Sequence, residues 1–168
     1  MNSIVLTFVT ALVPLLVGFV YYHPKTFANV WMKEAGVDEE KLKGGNMAMI
    51  FGMTYVFSLM LAFFLQSMVI HQFHINSIVF NEPGFGDANS QVMMDVKAFM
   101  DKYGDNFRTF GHGALHGFIS SLFVVMPVVG INALFERRGW KYIVLHWGFW
   151  AISLVIMGGL ICAYQTIQ

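Results

Sequence analysis

Charge is what this sequence has least of. Only 12% of its 168 residues are Asp, Glu, Lys or Arg. All 20 fall in three blocks, residues 25–43, 82–108 and 136–141, so the runs 1–24, 44–81, 109–135 and 142–168 hold none. A water-soluble domain spreads charge over every amphipathic element, because each has a wet side. This pattern excludes a soluble enzyme, and with 57% hydrophobic residues it excludes a disordered chain. Net charge is zero and no basic block exists, which removes the electrostatic footprint of a nucleic-acid binder. Cysteine is nearly absent too. Cys162 stands alone within the last apolar run, so neither a disulfide framework nor a thiolate zinc site is expected. The first 22 residues lack a basic leader and a small-x-small cleavage site, and are expected to be a retained span.

What is present is length of apolar chain. Each charge-free run exceeds the roughly 20 residues that cross a hydrocarbon core of ~30 Å. The runs lack the period-two alternation and ten-residue length of barrel strands, so helices are expected. Four spans are predicted at about 4–22, 47–70, 111–135 and 142–164, with Pro14 interrupting the first and Pro127 inside the third. The expected fold is all-α: a single domain over 1–168, a four-helix membrane bundle running up-down-up-down. Blocks 25–43 and 136–141 carry seven Lys and Arg against three in block 82–108. Positive charge favours the cytoplasm, so both termini and block 82–108 are expected outside.

The blocks have helical patterning of their own. Phe27, Val30 and Trp31 share one face after Pro24, and Gly36 is placed to stop that segment. Asp38 can cap a further turn through Leu42. In the outer block, Asn81-Glu82-Pro83-Gly84 reads as a turn. Val92, Val96, Phe99, Tyr103 and Phe107 then recur at helical spacing opposite Asp95, Lys97, Asp101, Lys102 and Asp105. An amphipathic interfacial helix is predicted over residues 90–107, either as a lid on the bundle or as a docking surface for a partner.

Two stretches resemble a known family. Phe19-Val20-Tyr21-Tyr22-His23-Pro24, followed by Phe27, Trp31-Met32-Lys33 and Gly36, is similar to the first half of the domain-of-unknown-function 1761 family. Leu134-Phe135-Glu136-Arg137-Arg138, the aromatic segment 142–150 and Met157-Gly158-Gly159 are similar to its second half. The likeness covers roughly residues 13–60 and 110–165 and does not extend to 71–110. It implies a small bacterial inner-membrane protein of about four helices, and it carries over no catalytic residue.

All six histidines lie in the charge-free runs. His71 and His74 are three apart at the end of the second run, and His112 and His116 are four apart at the start of the third. Such spacings place each pair on one helix face. His71 lies 24 residues after Met47 and His112 lies 23 before Phe135, so at ~1.5 Å per residue their depths agree within about one turn. Four converging imidazoles suit a divalent Zn²⁺ or Cu²⁺, with Asp95, Asp101 or Asp105 as supporting carboxylates. One histidine from each helix clamping a haem is an alternative. The plainer alternative is four interfacial rings bonded to backbone, headgroups and water. His23 and His146 raise proton or solute transport, although no charged residue lies in any span to assist.

Gly113 and Gly117, with Ser121, form a small-residue stripe, and Gly158 with Cys162 and Gly159 with Ala163 form a similar pair of stripes on the fourth span. Such stripes let backbones approach, within one bundle or between chains. Twelve scattered methionines read as core packing, not a copper-handling set. No nucleophile elbow, phosphate loop or His-Glu-x-x-His motif occurs, so no catalysis is expected. The expected function is a non-catalytic accessory or binding protein of the bilayer, with a histidine metal site, working alone, as a homo-oligomer or within a larger membrane complex.

Overall fold

A computed structural model describes residues 2–166. In chain order the helices are α1 (Ser3–Thr10), α2 (Val13–Tyr21), α3 (Ala28–Ala35), α4 (Glu39–Lys43), α5 (Met47–Val69), α6 (Phe73–Ile78), α7 (Gln91–Tyr103), α8 (Phe110–Ser120), α9 (Met126–Phe135) and α10 (Trp140–Tyr164). No strand occurs among the described residues. Four spans result: Ser3–Tyr21, Met47–Val69, Phe110–Phe135 and Trp140–Tyr164. Each is long and apolar enough to cross a membrane, and each lies within two residues of its expected bounds. Rings such as Phe63 and Phe123 are 63% and 71% exposed, a surface that suits lipid and not water.

Side chains set the helix starts. Asn46 Oδ1 accepts the Met49 amide at 3.1 Å, and Thr109 Oγ1 accepts the His112 amide at 3.2 Å. Asp38 and Ser90 cap α4 and α7 in the same way, through the amides of Lys41 and Met93. Gly36, with φ +64°, ends α3 in the left-handed conformation.

The two prolines within spans leave their mark upstream, where the missing N–H would have bonded. Pro14 divides the first span into α1 and α2. Pro127 is preceded by a π turn at Ser121–Val125, where the Met126 amide reaches back to the Ser121 carbonyl. The predicted helix over 90–107 stops at Tyr103. Gly104, Asp105 and Asn106 are turn formers, and Phe107 adopts a left-handed φ of +61°.

The last helix is the hub. α10 touches α8, α2, α5, α9, α1 and α3, and it buries Leu154, Met157, Ile161 and Cys162 against Ala62, Leu65 and Val69 of α5. Its closest neighbour is α8. A Cβ built at Gly113 or Gly117 would run into the backbone carbonyl of Gly158 or Leu154, and one at Gly158 would strike the Gly113 carbonyl. The two backbones touch. Gly159 instead lies under the Phe110 ring. The small-residue stripes thus pack within this chain. Apolar side chains gain little by leaving lipid, so van der Waals contact at such seams holds a membrane bundle together.

Where the basic loops gather, aromatic rings close the bundle. Tyr21 donates to the Leu145 carbonyl at 3.0 Å and packs on Phe27 and Phe149. Tyr22 lies between Trp31 and Phe149. Burial, then the phenols of Tyr21 and Tyr142, push the Tyr22 hydroxyl above its ordinary range, so it joins the cluster uncharged. Arg138 donates to the Glu34 carbonyl at 3.2 Å, near the end of α3, and stacks on Tyr142. The segments 19–36 and 134–150 therefore meet at this basic end.

The α8–α10 seam makes a directional prediction. Gly117→Ala and Gly158→Ala each destabilise the purified protein by at least the ~1–3 kcal/mol that overpacking costs. Gly52, with no atom within 4 Å of a built Cβ, is the control. Gly52→Ala leaves the midpoint of thermal unfolding in detergent unchanged or slightly raised.

Candidate metal centre

At the opposite end of the bundle, α5 finishes at Val69 and Ile70 turns extended. His71 falls in the turn that follows, which changes the expected four-histidine arrangement. The spacing argument for His71 and His74 needs a continuous helix. Here His74 sits on the separate, short α6, which begins two residues after His71. His112 and His116 do share one, on the first two turns of α8.

Three of the four rings come together. His71, His112 and His116 each offer a ring nitrogen, and these atoms lie within 4.8 Å of one another. His71 Nε2 and His112 Nε2 are 3.0 Å apart. Ring centroids are separated by 5.1 Å for His71–His112, 4.9 Å for His71–His116 and 4.6 Å for His112–His116. His74 is outside the group, exposed on α6. The expected carboxylates stand elsewhere. Asp95 accepts from Gln91, Asp101 pairs with Lys97 at 2.5 Å, and Asp105 lines a pocket beside Arg108. His23 and His146 belong to the basic end, where His146 stacks on Tyr142 at 4.2 Å.

Local sequence explains why the three rings converge. Gly113 and Gly117 press α8 onto α10, and His112 and His116 occupy the adjacent stripe, about 100° around the helix. That rotation aims them at the turn after α5. The turn is itself anchored. The buried Gln72 amide donates to the carbonyls of Gly104 at 2.8 Å and Asn106 at 2.9 Å. Cys162 Sγ donates to the Phe107 carbonyl at 3.3 Å. These bonds hold Phe107 in its left-handed conformation, with its ring 5.2 Å from His112.

A chain of amides ties the same end together. Arg108 Nη2 donates to the carbonyl of Gln165, the residue that ends α10. Gln165 Nε2 donates to Gln66 Oε1 at 2.6 Å, and Gln66 Nε2 donates to Thr7 Oγ1 at 2.8 Å. The first, second and fourth spans are thereby linked to one another and to the loop that leads into the third. Burial lowers the Arg108 pKa, while the neighbouring Cys162 and Asp105 partly restore it. The histidine spacing pointed to His112 and His116 on one face of α8, while the glutamines beside the cluster carry no pattern and were not anticipated.

Three imidazoles whose ring nitrogens lie within 4.8 Å of one another can take a borderline divalent ion, because each offers one lone pair and together they leave a fourth position free. The fold and the site define the class: a helical membrane protein of four spans, with a glycine seam and a histidine cluster at one end. Within that class, the chain belongs to the family described as "Protein of unknown function (DUF1761)", which it matches over residues 5–162. The match includes the segment 71–110 that the motif resemblance left out. Neither a curated protein nor a solved structure matches the chain.

Gln72 is where this support is tested. Gln72→Leu leaves two carbonyls without their donor, and stability falls by ~1–3 kcal/mol. The readouts are a lower unfolding midpoint in detergent and faster limited proteolysis between residues 79 and 109.

Proposed function

We propose that this protein is a small, non-catalytic membrane protein that binds one divalent transition-metal ion through His71, His112 and His116. The observation that carries the proposal is the grouping of three ring nitrogens within 4.8 Å, drawn from two separate segments of the chain. Random interfacial histidines have no reason to converge from a turn and a neighbouring helix. Imidazole donors suit Zn²⁺ or Cu²⁺ better than the hard ions Mg²⁺ or Ca²⁺. The ion's role is structural or sensory, and the protein acts as an accessory unit of a bacterial inner-membrane assembly. A haem clamp is disfavoured, because imidazoles whose Nε2 atoms are 3.0 Å apart leave no slot for a macrocycle between them.

The proposed topology is up-down-up-down with both termini outside. Support comes from contacts between helix ends: Tyr21 with Leu145, Ser3 with Thr166, and His71 with His112. The excess of Lys and Arg in 25–43 and 136–141 supports a cytoplasmic position for that end. A second reading has one specific observation behind it. Two imidazole Nε2 atoms at hydrogen-bond distance can share one proton, as in a proton relay.

Metal content separates the two. Protein purified in detergent without chelator carries about one Zn or Cu per chain by elemental analysis. His112→Ala and His116→Ala abolish it, and His74→Ala does not. Absence of metal from the wild type, or a content indifferent to His112→Ala, overturns the metal proposal and leaves proton sharing.

Topology has its own test, run in a Cys162→Ala background. A cysteine at Asn89 reacts with a membrane-impermeant maleimide in intact spheroplasts, and one at Glu40 reacts only after permeabilisation. The reverse pattern inverts the orientation.

A further inference from the structure

The histidine cluster has a neighbour. An open groove runs between α6 and the C-terminal half of α7, walled by Ile75, Phe99, Tyr103 and Phe107, with His71 in its lining. Two residues join it to the cluster. His71 belongs to both, and Phe107 lines the groove while packing against His112. The Phe99 and Tyr103 rings lie 4.9 Å apart, and Phe99, Tyr103 and Phe107 are all exposed although they stand together at a polar end of the bundle. Exposed aromatic rings that converge on one groove are a recognition surface for a flat or apolar body.

The charge of the site selects the other half of the ligand. The three donors are neutral imidazoles, and no carboxylate belongs to the group among the described residues. A bound divalent ion therefore keeps its full double positive charge and a free fourth position. Lys102 adds a further cation, its ammonium 4.9 Å from the centre of the Tyr103 ring. The complementary ligand carries an anionic oxygen at one end and a flat apolar body at the other.

We infer that the groove and the fourth metal position together bind a small aromatic carboxylate, its carboxylate at the metal and its ring among Phe99, Tyr103 and Phe107. This rests on the metal proposal above and adds a ligand class to it. The flat body is favoured over an acyl chain because three of the seven lining residues, Phe99, Tyr103 and Phe107, are aromatic and Ile75 is the one aliphatic side chain beside them.

The test uses Co²⁺, whose visible bands report its coordination, on the full chain in detergent with acetate and benzoate as the anions. Both anions change the Co²⁺ bands of the wild type, and benzoate does so at a concentration at least about tenfold lower, the equivalent of ~1.4 kcal/mol. Phe99→Leu and Ile75→Ala retain Co²⁺ binding and bring benzoate closer to acetate. Equal potency of the two anions in the wild type overturns the inference while leaving the metal site standing. So does a bound Co²⁺ whose bands respond to neither anion. If the wild type binds no Co²⁺, or binds it as well after His112→Ala, the metal proposal fails and the inference falls with it.

Discussion

The contact on which the rest depends is the backbone seam between α8 and α10. Where Gly113 and Gly117 lie on Gly158 and Leu154, no side chain separates the two helices. In lipid, burying apolar side chains gains little, so helix association rests on how many atoms touch and how closely. A glycine seam maximises that contact. It also fixes the rotation of α8 about its own axis, and with it the direction of every other face of that helix. The histidine face is one consequence. Without the seam, His112 and His116 would still share a face, but nothing would point it at His71.

Scarcity of charge shapes the two ends differently. The basic end is closed by rings and by one arginine that satisfies a carbonyl near the end of α3. The histidine end is closed by amides: Gln66, Gln72 and Gln165 bridge spans and loop without any buried ion pair among the described residues. Neutral amides suit a site near hydrocarbon, where an unpaired ion costs far more than an unpaired amide. They also leave the three-histidine group without a carboxylate member among the described residues.

The fold was largely legible because long charge-free runs have few physical solutions. The four spans, the break at Pro14, the stop at Gly36 and the cap at Asp38 follow from local chemistry that acts within a few residues. The site was legible in part. His112 and His116 were found by a spacing rule that held because α8 continues through them. His74 was misplaced because the same rule was applied across the end of α5, where Ile70 leaves the helical conformation. The supporting glutamines escaped notice because an amide's value depends on what lies opposite, and nothing in its neighbours along the chain announces that.

By itself, then, the sequence determined the medium, the number of spans and the candidate ligands, since these depend on composition and on periods of a few residues. Tertiary structure alone decided which three histidines meet, that the glycine stripes pack inside the chain, and that an aromatic groove borders the cluster. Those are relations between segments about 24 residues or more apart. They are set by how closely two backbones can approach, a quantity that no local pattern encodes.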